Sequence, residues 1–150
     1  MLSRAPGAET ALIARKDGPV RTDCGLFILP THTLDTAPDL DLLCVPGGFG
    51  VDAVMQDPVM IEFVRRQGAK ARYVTSVCTG AFILGAAGLL KGVRATTHWR
   101  YHAHLSAFGA IPVNERVVHD GRVITGGGVT AGIDFALSVM REIAGDAVAA

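Results

Sequence analysis

A chain of 150 residues has the length of one domain, enough to bury roughly 68–70% of its unfolded surface. Fourteen basic residues balance fourteen acidic ones, which leaves no charged face for nucleic acid, and a mean hydropathy of +0.35 is too high for a solvated, disordered chain. No stretch approaches 18 uncharged apolar residues and no signal-peptide core follows Arg4, so the expectation is a single cytoplasmic domain spanning 1–150, with no membrane and no nucleic-acid partner.

In chain order, Thr10–Ala14 reads as a strand, Asp17-Gly18-Pro19 as a turn, and Gly25–Leu29, closed by Pro30, as a second strand; together they predict a hairpin-like start. Residues 31–39 read as a loop. Leu40–Val45 is a short continuous apolar run, the pattern of a strand buried on both faces. Pro46-Gly47-Gly48-Phe49-Gly50 follows it. Asp57 before Pro58 predicts a capped helix running to Gly68. Arg72–Val77 reads as a strand, Thr79–Leu90 as an apolar helix, Val93–Thr96 as a short strand, and His98–Phe108 as a segment of helical spacing. Val113–His119 and Arg122–Thr125 flank Asp120-Gly121, a strong hairpin signal. After Gly126-Gly127-Gly128, Thr130 is placed to cap a last helix whose stripe is Ile133, Leu137, Met140 and Ile143, ending at Gly145. Strands alternating with helices predict a layered α/β fold around a mostly parallel sheet.

The chemistry concentrates where Tyr73–Val77 runs into Cys78-Thr79-Gly80-Ala81. A cysteine at such a strand-to-helix turn sits on a nucleophile elbow, facing the free N–H groups of the first helical turn; the competing reading is a buried structural thiol. Gly47 and Gly48 can bring backbone N–H groups close to developing charge, as in an oxyanion hole, or form a tight turn. Gly127, within the triple glycine, can contact an anionic group or mark a bend. Cys24 and Cys44 lack a CxxC partner and are expected to be small buried hydrophobes. His98, His102 and His104 invite a metal, but no HExxH pattern or nearby carboxylate completes a site; no metal and no cofactor are expected. His32 and His119 read as surface or loop residues, and Asp134 as a favourable charge at a helix N-terminus.

Four segments in order, Leu43–Gly48, Ser76–Ala81, Ala95–Trp99 and Thr125–Gly128 with Gly132–Leu137, resemble the ThiJ/PfpI superfamily, and within it most strongly the isocyanide hydratases. The resemblance implies a flavodoxin-like sandwich with helices on both faces of the sheet, a homodimer, and a small-molecule substrate. It places the nucleophile at Cys78 and a hydrogen-bonding hydroxyl at Thr79, where peptidase and amidotransferase members carry other patterns. It also implies a preceding strand and helix bearing an acid, so the chain is expected to be short at both ends and weakly active by itself. The implied reaction is hydration of an organic isocyanide to an N-substituted formamide through a cysteine thioimidate. Two alternatives share the resemblance: the ligand-sensing domain of an AraC-type transcription regulator, and a glyoxalase or stress-protective member.

Overall fold

The computed structural model describes residues 1–146. Its centre is a four-stranded sheet in which β5 (Leu42–Val45), β6 (Tyr73–Val77) and β10 (Val123–Gly126) run parallel and β9 (Val117–Asp120) closes one side antiparallel to β10. The order β5-β6-β10-β9 puts β6 inside the sheet, which is why Val74, Thr75 and Ser76 are fully buried. Thr75 is accommodated there because its hydroxyl donates to the Leu43 carbonyl at 3.0 Å.

Two cores lie on opposite faces of the sheet. On one, Leu43, Val45 and Val74 pack with Phe63 and Val64 of α2 (Pro58–Lys70) and with Ala81, Ile83 and Leu84 of α3 (Gly80–Ala86). On the other, Tyr73 and Ile124 meet Phe135 and Val139 of α4 (Ala131–Ala144). This is the flavodoxin-like α/β sandwich. Among the described residues, no helix is long and apolar enough to cross a membrane.

Helix α2 begins as its sequence dictates. Asp57 accepts from the N–H groups of Val59 and Met60 at 2.9 and 3.3 Å, and Pro58 occupies the first turn where its missing N–H costs nothing. The helix runs past Gly68 to Lys70, because Arg122 donates to the carbonyls of Gly68 and Ala71 at 2.7 and 2.6 Å and satisfies its C-terminal end. Gln67 is buried yet paired: its amide donates to the Pro38 carbonyl and accepts from the Leu40 N–H, tying the entry to β5 against α2.

The Asp57 carboxyl lies below its ordinary value of 3.8, chiefly through the hydrogen bond from Arg15 and then through the helix N–H groups. A depressed acid stabilises the fold above its unfolded value, and that contribution disappears as pH falls through the lower folded value. Asp57→Ala is therefore expected to melt below the parent at neutral pH. The two melting curves should converge under acid conditions below pH 3.8; a gap that persists there would show that the carboxylate charge is not what caps α2.

Several local expectations are corrected. The N-terminal hairpin forms between β2 (Val20–Arg21) and β3 (Phe27–Ile28), while β1 (Ile13–Ala14) pairs in parallel with β4 (His32–Thr33), inside the stretch read as loop. Strand β5 is not buried on both faces. Leu43 and Val45 point into the core while Cys44, on the opposite face, is exposed. Cys24 is exposed as well, at the tip of the β2–β3 hairpin. A short helix α1 (Val51–Met55), not expected from the sequence, follows the Pro-Gly-Gly loop.

Two further corrections concern the C-terminal half. Beyond β7 (Arg94–Ala95), paired in parallel with β8 (Ile111–Pro112), the histidine-rich segment is a 3₁₀ helix over Trp99–Phe108. At three residues per turn, His98 and His102 no longer share one helical face. In α4 the buried face is Ala131, Phe135, Val139 and Met140, whereas Ile133 is 62% exposed. Thr130 makes no side-chain cap. Asp134 is held by Arg116, with nitrogen–oxygen distances of 2.6 and 2.7 Å.

Candidate active site

The parallel strands β5, β6 and β10 end together, and the loops leaving them meet at Cys78. That residue has a φ of +57°, a conformation which costs an L-residue with a Cβ roughly 1–2 kcal/mol. Such strain persists only where the surroundings over-determine it. Here the Cys78 N–H donates to the Gly126 and Gly127 carbonyls at 2.9 and 3.2 Å, and the Cys78 carbonyl accepts from the Thr97 hydroxyl at 2.7 Å. Both peptides flanking the cysteine are thereby fixed. The residue stands half-buried between β6 and α3, which matches the elbow read from the sequence.

Small residues let the neighbouring loops close on this turn. A Cβ on Gly80 would lie 2.8 Å from the Pro46 carbonyl oxygen and closer still to that of Val45. A Cβ on Gly47 would lie 2.7 Å from the Thr79 nitrogen and 2.9 Å from the Cys78 Cβ. The Pro-Gly-Gly loop is therefore pressed against the elbow, with Gly47 as its point of contact. Beside it, the Gly48 N–H donates to the Thr79 hydroxyl oxygen at 3.1 Å. This leaves the hydroxyl proton of Thr79 to serve another acceptor. The Thr79 N–H has no backbone acceptor among the described residues outside regular elements, and neither has the Gly80 N–H.

Gly127, expected to contact substrate, lines a cleft and also braces the elbow. Its N–H donates to the Arg116 carbonyl at 2.9 Å and its carbonyl accepts from Cys78, so both polar groups are occupied in supporting the elbow. Gly128 packs under the His98 ring, and Val129 beside it has a φ of +43°, a second strained position at the start of α4 and an unusual one for a β-branched residue.

A cleft of about 230 Å³ opens behind this layer, with Thr97, Trp99, His102, Arg116, Gly127 and Gly128 among its walls; Cys78 is not among them. A larger cleft of about 350 Å³, between Leu34, Asp35 and α2, is lined by no cysteine, serine or threonine.

The other two thiols behave differently from one another. Cys24 is lowered, first by its hydrogen bond with the Thr22 hydroxyl at 3.2 Å. Cys44, although solvent reaches the residue, is raised because its neighbours desolvate the sulfur. Neither lies on the elbow.

Thr97 is the residue that sequence reading missed. It is 2% exposed, 19 positions from the carbonyl it binds, and belongs to Ala95–Trp99, a segment that carries part of the family resemblance but gives Thr97 no role. A pair of adjacent threonines on a strand end carries no signal that one of them reaches an elbow.

The chain matches the DJ-1/PfpI family model over residues 1–142. It is 53% identical over 145 residues to the isonitrile hydratase of Pseudomonas putida, an alignment covering 97% of this chain and 64% of that protein. It is 34% identical to the HTH-type transcriptional regulator GbdR of Pseudomonas aeruginosa over 77% of this chain and 32% of the regulator. Among solved structures, a ThiJ/PfpI family protein from Pseudomonas syringae superposes with a TM-score of 0.92 at 48% identity, covering 95% of this chain and 60% of that one. The chain thus spans 64% of the length of the isonitrile hydratase, 60% of the Pseudomonas syringae protein and 32% of the regulator.

Proposed function

Since the chain belongs to the DJ-1/PfpI family, we propose that it carries the cysteine half of an isocyanide-hydrating site. The observation that carries this reading is the left-handed Cys78 at the end of β6, next to an amide with no backbone partner, in a chain 53% identical to an isonitrile hydratase.

The Cys78 sulfur, once ionised, attacks the terminal isocyanide carbon. Protonation of that carbon gives a thioimidate, R–N=CH–S–Cys. Water then adds across the C=N bond, its oxygen to carbon and a proton to nitrogen. The tetrahedral species collapses, loses its hydroxyl proton, breaks the C–S bond and releases R–NH–CHO with the thiolate restored. Thr79 serves this sequence through its N–H, aimed at developing charge, and through its hydroxyl, whose oxygen is already held by Gly48. Gly47 contributes by allowing that approach, and Gly127 by bracing Cys78 from behind. The reaction takes a small-molecule substrate and needs no cofactor, because a nucleophile and water complete the cycle. A homodimer is part of the same reading, supported by the exposed apolar row Leu26, Phe27, Ile28 and Leu29 on the β2–β3 hairpin.

The test is to incubate the chain with a small alkyl isocyanide and follow N-alkylformamide by NMR, with intact-mass detection of a one-to-one adduct. Formamide together with an adduct mapped to Cys78 is the expected result. Formamide without any adduct under quenched conditions would count against a thioimidate. The similarity to a transcriptional regulator favours a second reading, in which the domain senses a ligand. Saturable ligand binding without turnover is the outcome that would select it.

A further inference from the structure

Both peptide planes around Cys78 are held, but by different means. The plane before it is fixed by backbone carbonyls of Gly126 and Gly127; the plane after it is fixed by one side chain, the buried Thr97 hydroxyl, at 2.7 Å from the Cys78 carbonyl oxygen. Among the described residues outside regular elements, the one other backbone donor to that carbonyl is the Ala81 N–H, which at 3.5 Å contributes little. In a trans peptide, C=O and N–H lie in one plane and point in opposite directions. Whatever fixes the Cys78 carbonyl therefore fixes the Thr79 N–H on the other edge of the plane. That N–H, like the Gly80 N–H, has no backbone acceptor among the described residues outside regular elements.

We propose that Thr97 is a positioning residue: by holding the Cys78 carbonyl it keeps the cysteine in its left-handed conformation and turns the Thr79 N–H towards the reacting atoms. The inference rests on the reading of Cys78 as a nucleophile, and it explains why a hydroxyl 2% exposed stands where valine would fill the same space. With the hydroxyl gone, the Cys78–Thr79 plane is free to rotate about the bonds that flank it. The elbow then relaxes away from a φ of +57° towards the ordinary negative region. The sulfur and the amide move together.

The experiment uses the 150-residue chain with Cys24→Ser and Cys44→Ser, which leaves Cys78 as its one thiol. Thr97→Val, Thr97→Ser and Thr97→Ala are compared with the parent by the rate of iodoacetamide alkylation across pH, and by hydrogen exchange of the Cys78 amide. Thr75→Val is the control, since Thr75 is an equally buried threonine whose hydroxyl serves the Leu43 carbonyl in the sheet. Thr97→Val should slow alkylation about tenfold and lower protection of the Cys78 amide by a similar factor, the population change that one ordinary hydrogen bond controls. Thr97→Ser should stay within about twofold of the parent, and Thr75→Val should leave the Cys78 rate unchanged even if it melts earlier. Parental alkylation and parental protection in Thr97→Val would overturn the proposal, as would an equal loss in Thr75→Val. If Thr97→Val does not fold, serine against alanine isolates the hydroxyl, both lacking the methyl group, and equal rates in that pair overturn it. If the parent thiol reacts no faster than cysteine in an unfolded peptide, the nucleophile reading fails, and amide protection alone then decides whether Thr97 holds the elbow.

Discussion

Gly80→Ala is expected to destabilise the chain by about 2–3 kcal/mol, even though alanine is the better helix former. Two effects of opposite sign compete. Within a helix, alanine gains about 1 kcal/mol over glycine. Against this, the new methyl would stand 2.8 Å from the Pro46 carbonyl oxygen and nearer still to that of Val45. Both obstacles are backbone atoms at the end of β5 and the start of the loop that leaves it, so no side chain can swing aside. Overpacking of this kind costs about 1–3 kcal/mol and more where the backbone must move; against two backbone obstacles it is taken as about 3–4 kcal/mol, which leaves about 2–3 kcal/mol after the propensity gain. In a chain of this length the net loss corresponds to roughly 5–10 °C in the thermal midpoint. Thermal and urea unfolding would measure it, and an unchanged or raised midpoint would mean that α3 can shift away from β5 at little cost. Since α3 carries the elbow on its first turn, such a shift should also alter Cys78 alkylation. Stability and reactivity are therefore expected to fall together in this variant.

The elbow is legible in the sequence because its causes are local. An apolar run ending in Val77, a cysteine, and the small residues Gly80 and Ala81 define strand, turn and helix without reference to anything distant. The same holds for α2, whose cap and first-turn proline are adjacent, and for the β9–β10 hairpin at Asp120-Gly121. What escapes the sequence depends on pairing across long separations. Strand β1 has two residues and β4 has two; neither pattern says that they pair with each other, and the turn at Gly18 suggests a different partner. Cys44 sits in a run apolar enough for a doubly covered strand, yet its exposure is set by what packs on its face of β5, a property of the tertiary fold. In α4 the apolar residues outnumber the buried positions, so the stripe from Ile133 to Ile143 and the one from Ala131 to Met140 are both available. Contact with Tyr73 and Ile124 buries Phe135 and Val139, with Ala136 and Ile143 packed beside them, and leaves Ile133 exposed. Gly127 shows the same limit at the site itself: the triple glycine is visible, but only the fold reveals that its polar groups are already taken by Arg116 and Cys78.

Removing the sulfur separates chemistry from strain at one position. Cys78→Ala is expected to reduce isocyanide hydration at least about a thousandfold, since loss of a nucleophile removes the covalent route and leaves only binding and the amide donor. Cys78→Gly should be as inactive, and it should also be more stable than Cys78→Ala by about 1 kcal/mol, because glycine adopts a φ of +57° without the penalty that a Cβ carries. Cys78→Gly thus loses activity while relieving the strain that Cys78→Ala keeps, the signature of strain retained for a reactive side chain. At Gly80 they move together, because there the strain would be new. Formamide production and urea midpoints for the two Cys78 variants decide the matter. Hydration by Cys78→Ala at the parent rate would end the covalent mechanism. Alanine and glycine variants of equal stability would instead show that the elbow costs the fold nothing, and that Thr97 and the Gly126–Gly127 carbonyls hold a turn the chain adopts freely.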